Sequence, residues 1–167
     1  MRGGSRKKVV KDLDTQKRAR LPASAVNHSG AEILLVEDNP HDAELTLKAL
    51  RDAGFSNKVE HVRDGEEALD MIFEPKTTPT LPKLVLLDLN LSKMEGLHVL
   101  RRLKSDERTK GIPVVVLSAS KMAIEVIESY KLGVNSYVMK PGDGKRFGEV
   151  VRTLGHYWLA INETPKP

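Results

Sequence analysis

The chain has 167 residues, 40% of them hydrophobic, which is enough to build the core of one domain of ordinary size. It contains no cysteine, so disulfide bonds, thiolate metal sites and cysteine nucleophiles are excluded. No segment approaches the roughly 18 consecutive apolar residues of a membrane span, and the N-terminus lacks the apolar segment of a signal peptide. These features predict a soluble, cytoplasmic protein with no membrane partner.

Basic residues are concentrated at the N-terminus. Residues 1–30 contain eight Lys or Arg and two Asp or Glu, a net charge of +6, whereas the rest of the chain carries −2 of the total charge of +4. This segment has few large apolar residues and several turn-forming dipeptides, so it cannot bury enough surface to order itself. We predict that it forms a disordered basic arm. A role in binding nucleic acid or an anionic membrane rests on charge alone and remains the alternative.

From residue 31 onward, apolar runs typical of buried strands alternate with segments of helical character. Five short runs have the strand pattern: 33–36, 59–62, 84–87, 114–117 and 136–139. Such alternation favours βα units around a mostly parallel sheet. Helix starts are marked by Asn39-Pro40 and by Asp64 and Glu67, whose spacing is typical of a capping box.

The last predicted helix carries an apolar stripe with helical spacing. Its members are Phe147, Val150, Val151, Leu154, Trp158 and Ile161. Tyr157 and Leu159 fall outside that stripe, so the end of the helix is apolar on more than one side and is expected to make a second buried contact. Pairing with another chain is one explanation, and packing of residues 162–167 back onto the helix is the other.

Polar residues follow four of the five predicted strands. Glu37 and Asp38 come after the first strand, Asp88 after the third, Ser118 after the fourth and Lys140 after the fifth. Because the carboxyl ends of parallel strands line one crevice, we expect these side chains to converge there. The sequence therefore predicts a pocket that contains three carboxylates, one hydroxyl and one ammonium group.

The chemistry of this predicted pocket suits a divalent cation and a phosphoryl group. Clustered carboxylate oxygens favour Mg²⁺, which relieves their mutual repulsion and keeps open positions for phosphate oxygens. Asp88 can then act as an oxygen nucleophile toward phosphorus and form an aspartyl phosphate. Lys140 would neutralise phosphoryl oxygens while Ser118 donates a hydrogen bond to them. Asn90, two residues after Asp88, could offer its backbone carbonyl to the metal.

Four segments together resemble the receiver domain of response regulators, the CheY-like family. They are Ile33-Leu-Leu-Val-Glu-Asp-Asn-Pro40, Leu84-Val-Leu-Leu-Asp-Leu-Asn-Leu91, Pro113-Val-Val-Val-Leu-Ser-Ala-Ser120 and Asn135-Ser-Tyr-Val-Met-Lys-Pro141. The resemblance covers residues 31–161 and leaves residues 162–167 as a short C-terminal tail. It implies an α/β, flavodoxin-like, doubly wound fold with five helices and a five-stranded parallel sheet in the order 2-1-3-4-5.

The resemblance also implies that a partner histidine kinase donates a phosphoryl group to Asp88 in a Mg²⁺-dependent reaction. The family's other functional positions match the acidic pair Glu37 and Asp38, the switch hydroxyl Ser118, the rotating aromatic Tyr137 and the lysine Lys140. In the family, phosphorylation draws the hydroxyl inward and the aromatic ring turns into the vacated space. The face made by the fourth helix, fifth strand and fifth helix then changes. Such a protein is a signalling phosphoacceptor, with no enzymatic activity beyond self-phosphorylation and self-dephosphorylation.

Three positions depart from the usual residues of the family. Ser92 stands where proline is usual, Glu95 stands where Asp-Gly is usual, and Ser118 replaces the commoner threonine. These departures bear on the rigidity of the loop after the third strand and on the kinetics of the switch.

A narrower resemblance lies at the C-terminus. The segment Leu154-Gly-His-Tyr-Trp-Leu-Ala-Ile-Asn-Glu-Thr-Pro165 is similar to the end of single-domain response regulators that partner phytochrome histidine kinases, of bacterial or cyanobacterial type. It implies a red-light pathway and homodimers formed through the last helix, with Tyr157 and Leu159 as contact residues. Only six residues follow Ile161, so we expect no DNA-binding effector domain.

Two other functions remain open. Asp88-Leu-Asn90 is similar to the nucleophile motif of haloacid-dehalogenase phosphatases, which use a second aspartate two residues later as a general acid. Asn90 cannot donate a proton in that way, which disfavours a small aspartate-nucleophile phosphatase. The second alternative is a docking module that has the receiver fold but is not phosphorylated, and absence of Mg²⁺ binding would favour it.

Overall fold

The computed structural model describes residues 31–55, 59–74 and 81–163. The arm predicted for residues 1–30 lies outside the described residues, as do the last four residues of the predicted tail. Strands and helices alternate through the described part of the chain. In order they are β1 (Ile33–Val36), α1 (Pro40–Asp52), β2 (Val59–Val62), α2 (Gly65–Phe73), β3 (Leu84–Leu87), α3 (Gly96–Ser105), β4 (Val114–Ser118), α4 (Ala123–Lys131), β5 (Ser136–Met139) and α5 (Gly144–His156), followed by a π-helical turn at Tyr157–Ile161.

The five strands form one parallel sheet in the order β2-β1-β3-β4-β5, which confirms the predicted flavodoxin-like topology. The last residue of β1, Val36, is in register with Val62 of β2 and Leu87 of β3. The residues that follow β1 and β3 therefore emerge side by side at the carboxyl edge of the sheet. This register is what places Glu37 next to Asp88.

Helices cover both faces of the sheet, and every residue of β1, β3 and β4 is buried. On one face, side chains of α2 and α3 such as Ile72 and Leu100 pack against the strands. On the other face, Leu50 of α1 and Phe147 of α5 close a second cluster. Each fully buried leucine or valine stabilises the fold by about 2 kcal/mol. The central strands are therefore rigid supports for the residues at their ends.

Local capping signals determine where α1 and α2 begin. The Asn39 side-chain oxygen accepts hydrogen bonds from the backbone N–H groups of His41 (2.9 Å) and Asp42 (3.3 Å). The Asp64 carboxylate accepts from the N–H of Glu67 at 2.9 Å, as the capping-box pattern predicts. The carboxylate of Glu67 accepts from the N–H of Arg63 at 3.1 Å, one residue before the position expected for a complete box.

The prediction of one continuous core stripe to the end of α5 is wrong at Ile161, whose side chain is 59% exposed. Phe147 and Val151 are buried as predicted. The chain leaves α-helical geometry at Tyr157, and the N–H of Asn162 donates to the Tyr157 carbonyl at 2.7 Å, a bond that spans five residues. Because a π-helical turn holds more residues than an α-helical turn, the 3.6-residue periodicity no longer describes which side chains face the core.

The π-helical turn places the two predicted dimer contacts differently. Tyr157 is 46% exposed, and its ring packs edge-to-face on Trp158 with 5.1 Å between centroids. Leu159 is half-buried against the core cluster beneath α1 and α5.

Within the described part of the chain, no helix has the length and apolar character needed to cross a bilayer.

Candidate functional site

Backbone hydrogen bonds carry the sheet ladder one residue past the ends of the strands. The N–H of Asp88 donates to the carbonyl of Val36 at 3.0 Å, and the N–H of Glu37 donates to the last carbonyl of β2 at 3.1 Å. The N–H of Lys140 donates to the carbonyl of Ser118 at 2.9 Å. The backbone that bears the three charged side chains is therefore fixed by the sheet itself, as the strand-end prediction requires.

The ammonium group of Lys140 lies among three carboxylates. Its Nζ donates to Oε2 of Glu37 at 2.6 Å, to Oδ2 of Asp88 at 2.7 Å and to Oδ2 of Asp42 at 2.8 Å. These bonds use all three donors of the ammonium. The side chains of Lys140, Glu37 and Asp88 are at most 7% exposed, whereas that of Asp42 is 27% exposed. The cluster is thus a buried ion-pair network in which only the Asp42 side chain is partly exposed to solvent.

Burial and charge act in opposite directions on the titration of this cluster. Burial alone would lower the pKa of Lys140, but the hydrogen bonds that its ammonium donates to Asp42, Asp88 and Glu37 outweigh burial and raise that pKa above its ordinary value. Burial raises the pKa of Glu37 to about 7, against the lowering effect of the Lys140 ammonium. Lys140 is therefore charged at neutral pH, and it is the permanent positive charge of the site.

Asp88 is held by two backbone features besides its own strand. Its Oδ1 accepts a hydrogen bond from the N–H of Asn90 at 2.9 Å. Gly96, the first residue of α3, packs directly against the backbone of Asp88 and Leu89, and a Cβ atom at Gly96 would collide with the Asp88 carbonyl oxygen. The N–H of Gly96 also donates to the carbonyl of Leu89 at 3.0 Å. The start of α3 therefore rests on the backbone of the predicted phosphoacceptor.

Asp38 and Asn90 lie at the rim of the site. Oδ2 of Asp38 accepts from the backbone N–H of Ser92 at 2.8 Å. A proline at this position has no N–H to donate, so this bond depends on the departure from the usual family residue. The side chain of Asn90 is exposed, and its amide nitrogen lies 3.4 Å from Oγ of Ser118.

The oxygen donors of this site fit Mg²⁺. Among the described residues, no three His, Asp or Glu side chains are grouped closely enough to hold a metal ion, and the Lys140 ammonium pairs with the carboxylates of Glu37, Asp42 and Asp88. The carboxylates of Asp38 and Asp88 and the Asn90 carbonyl are nevertheless the hard donors that Mg²⁺ prefers, and this ion retains several water ligands. Each carboxylate oxygen that accepts one hydrogen bond keeps a further lone pair.

The two predicted switch residues, Ser118 and Tyr137, both form hydrogen bonds with the backbone of Ser120, and their side chains also interact with each other. Oγ of Ser118, which is fully buried, accepts from the N–H of Ser120 at 3.1 Å. The hydroxyl of Tyr137 donates to the carbonyl of Ser120 at 3.4 Å, a long bond, while its half-buried ring packs against the core. Burial raises the pKa of Tyr137, which keeps its hydroxyl protonated as a donor.

Three residues of this site were not identified from the sequence. Asp42 and Gly96 contact the charged cluster and the backbone of Asp88, and Ser120 links the two switch residues. A signal for Asp42 was present, because an acid in the first turn of a helix that follows β1 must lie near the carboxyl edge of the sheet. No local signal marks Ser120, whose role depends on the hydroxyl of Tyr137 on β5 reaching its carbonyl.

Comparison with known proteins agrees with this geometry. The family model described as the response regulator receiver domain matches residues 33–152. The chain is 40% identical to the "Probable methanogenesis regulatory protein FilR2" of Methanothrix harundinacea, over 81% of this chain and 88% of that protein. It is 38% identical to the response regulator Rcp1 of Synechocystis sp., over 80% of this chain and 92% of that protein. A crystal structure of Rcp1 describes its Mn²⁺-bound form.

Among solved structures, the chain is similar to the phosphorylated cyanobacterial phytochrome response regulator RcpA. The two share 37% sequence identity, the TM-score is 0.77, and the alignment covers 83% of this chain and all of that one. The residues matched by the family model, 33–152, include all five strands of the sheet. We conclude that the chain belongs to the response regulator receiver domain family.

Proposed function

We propose that this protein is the phosphoacceptor of a two-component phosphorelay and that Asp88 receives the phosphoryl group from a histidine kinase. The observation that carries the proposal is the 2.7 Å contact between Nζ of Lys140 and Oδ2 of Asp88 at a buried strand end. A carboxylate held beside a permanent cation, at the mouth of a crevice rich in oxygen donors, is suited to accept phosphorus.

In the proposed reaction a carboxylate oxygen of Asp88 attacks the phosphorus of a phosphohistidine. The new P–O bond forms as the P–N bond breaks, and the electron pair of that bond returns to the imidazole nitrogen, which takes up a proton. The Lys140 ammonium moves its donated hydrogen bond from the carboxylate to a phosphoryl oxygen. Mg²⁺, held by Glu37, Asp38 and Asp88 with the Asn90 carbonyl, supplies further charge neutralisation when it is bound.

The switch is proposed to run through Ser120. When Ser118 turns its hydroxyl toward a phosphoryl oxygen, it gives up the bond it now accepts from the N–H of Ser120. The segment from Ser118 to Ser120 then moves, and with it the carbonyl that accepts from Tyr137. Two bonds to one residue thus connect the phosphoacceptor site with the ring of Tyr137 and the start of α4.

The proposed output surface includes the outer side of α4 and the neighbouring end of β5. Large apolar side chains that are about half exposed lie there: Ile124, Ile127, Tyr130 and Met139. In α4 only Ser129 is buried. A helix held by so few core contacts can shift with little loss of packing energy, which suits it to report a change at Ser118.

We further propose that the kinase is a phytochrome and that the protein forms homodimers through the region of Tyr157 and Leu159. The similarity to RcpA, a phytochrome response regulator, supports the first part. Similar identity to FilR2 makes a kinase of another sensory class the alternative partner. The exposed ring of Tyr157 supports the second part. A cytoplasmic location and no activity beyond self-phosphorylation and self-dephosphorylation complete the proposal, and an unphosphorylated docking module remains its competitor.

Intact mass spectrometry of the full chain tests the proposal. Wild type and Asp88→Asn are incubated with acetyl phosphate, with and without Mg²⁺, and then treated with hydroxylamine. We expect a hydroxylamine-labile phosphoryl adduct that requires both Mg²⁺ and Asp88. No adduct in any sample, with a quench fast enough to trap short-lived phosphate, would favour the docking module. Transfer from purified phytochrome kinases, compared with kinases of other sensory classes, then identifies the partner.

A further inference from the structure

Asp42 contacts the lysine of the site although it belongs to none of the strand-end segments. It lies in the first turn of α1, and its Oδ2 accepts from Nζ of Lys140 at 2.8 Å. The backbone that carries it is anchored, because its N–H donates to the side-chain oxygen of Asn39 and the N–H of Ala43 donates to the Asn39 carbonyl at 2.9 Å. The carboxylate therefore extends to Lys140 from a fixed point on a helix.

The proposed reaction changes the other two partners of Lys140 but not this one. Phosphorylation converts the Asp88 carboxylate into an acyl phosphate, in which the negative charge lies on the phosphoryl oxygens, so the oxygens of Asp88 itself attract the ammonium less. Glu37 belongs to the acidic pair, and its charge is shared with Mg²⁺ when the ion is bound. Asp42 has neither role and remains an anionic acceptor before and after phosphoryl transfer.

We propose that Asp42 is a positioning residue for phosphoryl transfer. It ties one N–H of Lys140 to α1, so that the remaining donors stay directed at the place beside Asp88 where phosphoryl oxygens arrive. A lysine side chain has several rotatable bonds, and a fixed acceptor on its terminal nitrogen restricts the positions the ammonium explores. Such preorganisation acts on the transition state. This inference rests on the proposed function of Asp88.

Asp42 could instead act only through its charge, by repelling an incoming phosphoryl donor. Asparagine separates the two roles, because the amide of Asp42→Asn keeps an oxygen acceptor in place and removes the charge. Asp42→Ala removes both. Glu44→Ala is the matched control, since it removes an exposed acid from the same end of α1.

The rate of Asp88 phosphorylation is measured in the full chain over a range of acetyl phosphate concentrations, with saturating Mg²⁺. We expect Asp42→Ala to lose about ten-fold in the saturating rate, with the half-saturating concentration nearly unchanged. Asp42→Asn should stay within about two-fold of wild type, and Glu44→Ala should match it. Wild-type kinetics in Asp42→Ala would overturn the inference. An equal change in Asp42→Asn and Asp42→Ala, in either direction, would assign the effect to charge and also overturn it.

A second readout follows the ammonium group itself. In ¹⁵N-labelled protein, a hydrogen-bonded Lys140 ammonium should give a slowly exchanging NMR signal in wild type and in Asp42→Asn, and the signal should be lost in Asp42→Ala while the thermal midpoint is kept. An unchanged signal in Asp42→Ala contradicts the inference. Failure of the wild type to take up phosphate overturns the proposed function and this role with it. If Asp88 is phosphorylated at the same rate in wild type and Asp42→Ala, only the positioning role of Asp42 is overturned.

Discussion

The ammonium nitrogen of Lys140 lies 2.7 Å from Oδ2 of Asp88, although the two residues follow strands that are not neighbours in the sheet. Lys140 follows β5, Asp88 follows β3, and β4 runs between them. The side chain of Lys140 therefore crosses the end of β4, immediately past Ser118, to reach the carboxylate. This crossing brings a cation, the proposed nucleophile and a hydroxyl into one buried site.

We predict that Lys140→Met impairs both phosphorylation and folding. Three carboxylates would then face one another without a cation, which should destabilise the protein by about 3 kcal/mol at neutral pH. The rate of phosphorylation should fall by about 100-fold or more, because developing negative charge loses its buried partner. Urea unfolding and the acetyl phosphate assay measure the two effects. Lys131→Met, which breaks an exposed pair with Glu128, is the control and should cost less than about 1 kcal/mol.

Gly96→Ala should displace the backbone of Asp88, the proposed phosphoacceptor. The new Cβ would collide with the carbonyl oxygen of Asp88, so either α3 or the end of β3 must move. We expect a loss of stability of about 1–3 kcal/mol and altered NMR shifts at Asp88 and Asn90. Gly111→Ala is a matched control, because its Cβ would meet nothing within 4 Å. Equal stability of the two variants would show that α3 adjusts without strain.

Substitutions at Ser118 test the proposed route through Ser120. Ser118→Ala leaves the Ser120 N–H without its acceptor, which should cost about 1–2 kcal/mol, and it removes the hydroxyl that would reach the phosphoryl group. Ser118→Thr keeps the hydroxyl. We expect hydrogen exchange in α4 to respond to phosphorylation in wild type and Ser118→Thr but not in Ser118→Ala. A response that survives in Ser118→Ala would mean that the signal leaves the site by another path.

Lys104 predicts a pH dependence of stability at the opposite edge of the sheet. Burial lowers the pKa of Lys104 from its ordinary value of 10.5 to about 8. Its Nζ donates to three neutral oxygens, the carbonyls of Lys110 and Ile112 and Oδ1 of Asn135. The folded protein then releases this proton at lower pH than the unfolded chain, so stability rises with pH through the interval between the two pKa values.

Between about pH 7.5 and pH 9.5, the free energy of unfolding of wild type should rise by about 2 kcal/mol relative to that of Lys104→Met, as measured by urea unfolding. The comparison of slopes removes the effect of other titrating groups. Parallel slopes in the two proteins would show that the three oxygen acceptors keep Lys104 charged despite its burial.

The exposed ring of Tyr157 predicts the site of self-association. Tyr157→Arg should weaken a dimer by about 1–2 kcal/mol, seen by sedimentation, without lowering the thermal midpoint, because nearly half of the side chain is exposed in the single chain. Tyr130→Arg on α4 is the control at a similarly exposed tyrosine. Dissociation by Tyr130→Arg alone would place the interface on α4.

Acetyl phosphate with Mg²⁺ should shift the monomer-dimer balance of the wild type. Identical sedimentation profiles with and without the donor would show that dimerisation does not depend on phosphorylation.

Most of the fold could be read from local features of the sequence. The runs predicted as strands at Val59–Val62, Leu84–Leu87 and Ser136–Met139 coincide with β2, β3 and β5. The helix start predicted from Asp64 coincides with the N-cap of α2. These boundaries are set within a few residues of the chain, by apolar runs and by side chains that cap their own helix, so no distant contact is needed to place them.

The arrangement of the site was decided by tertiary structure. That Lys140, Asp88 and Glu37 would meet was expected from the strand order, but the contact between Lys140 and Asp42 joins positions 98 residues apart and depends on how α1 lies over the sheet edge. The exposure of Ile161 likewise depends on a π-helical turn that helical periodicity cannot express. Sequence patterns report the preference of each segment for its own backbone, whereas these contacts depend on the register and packing of separate segments.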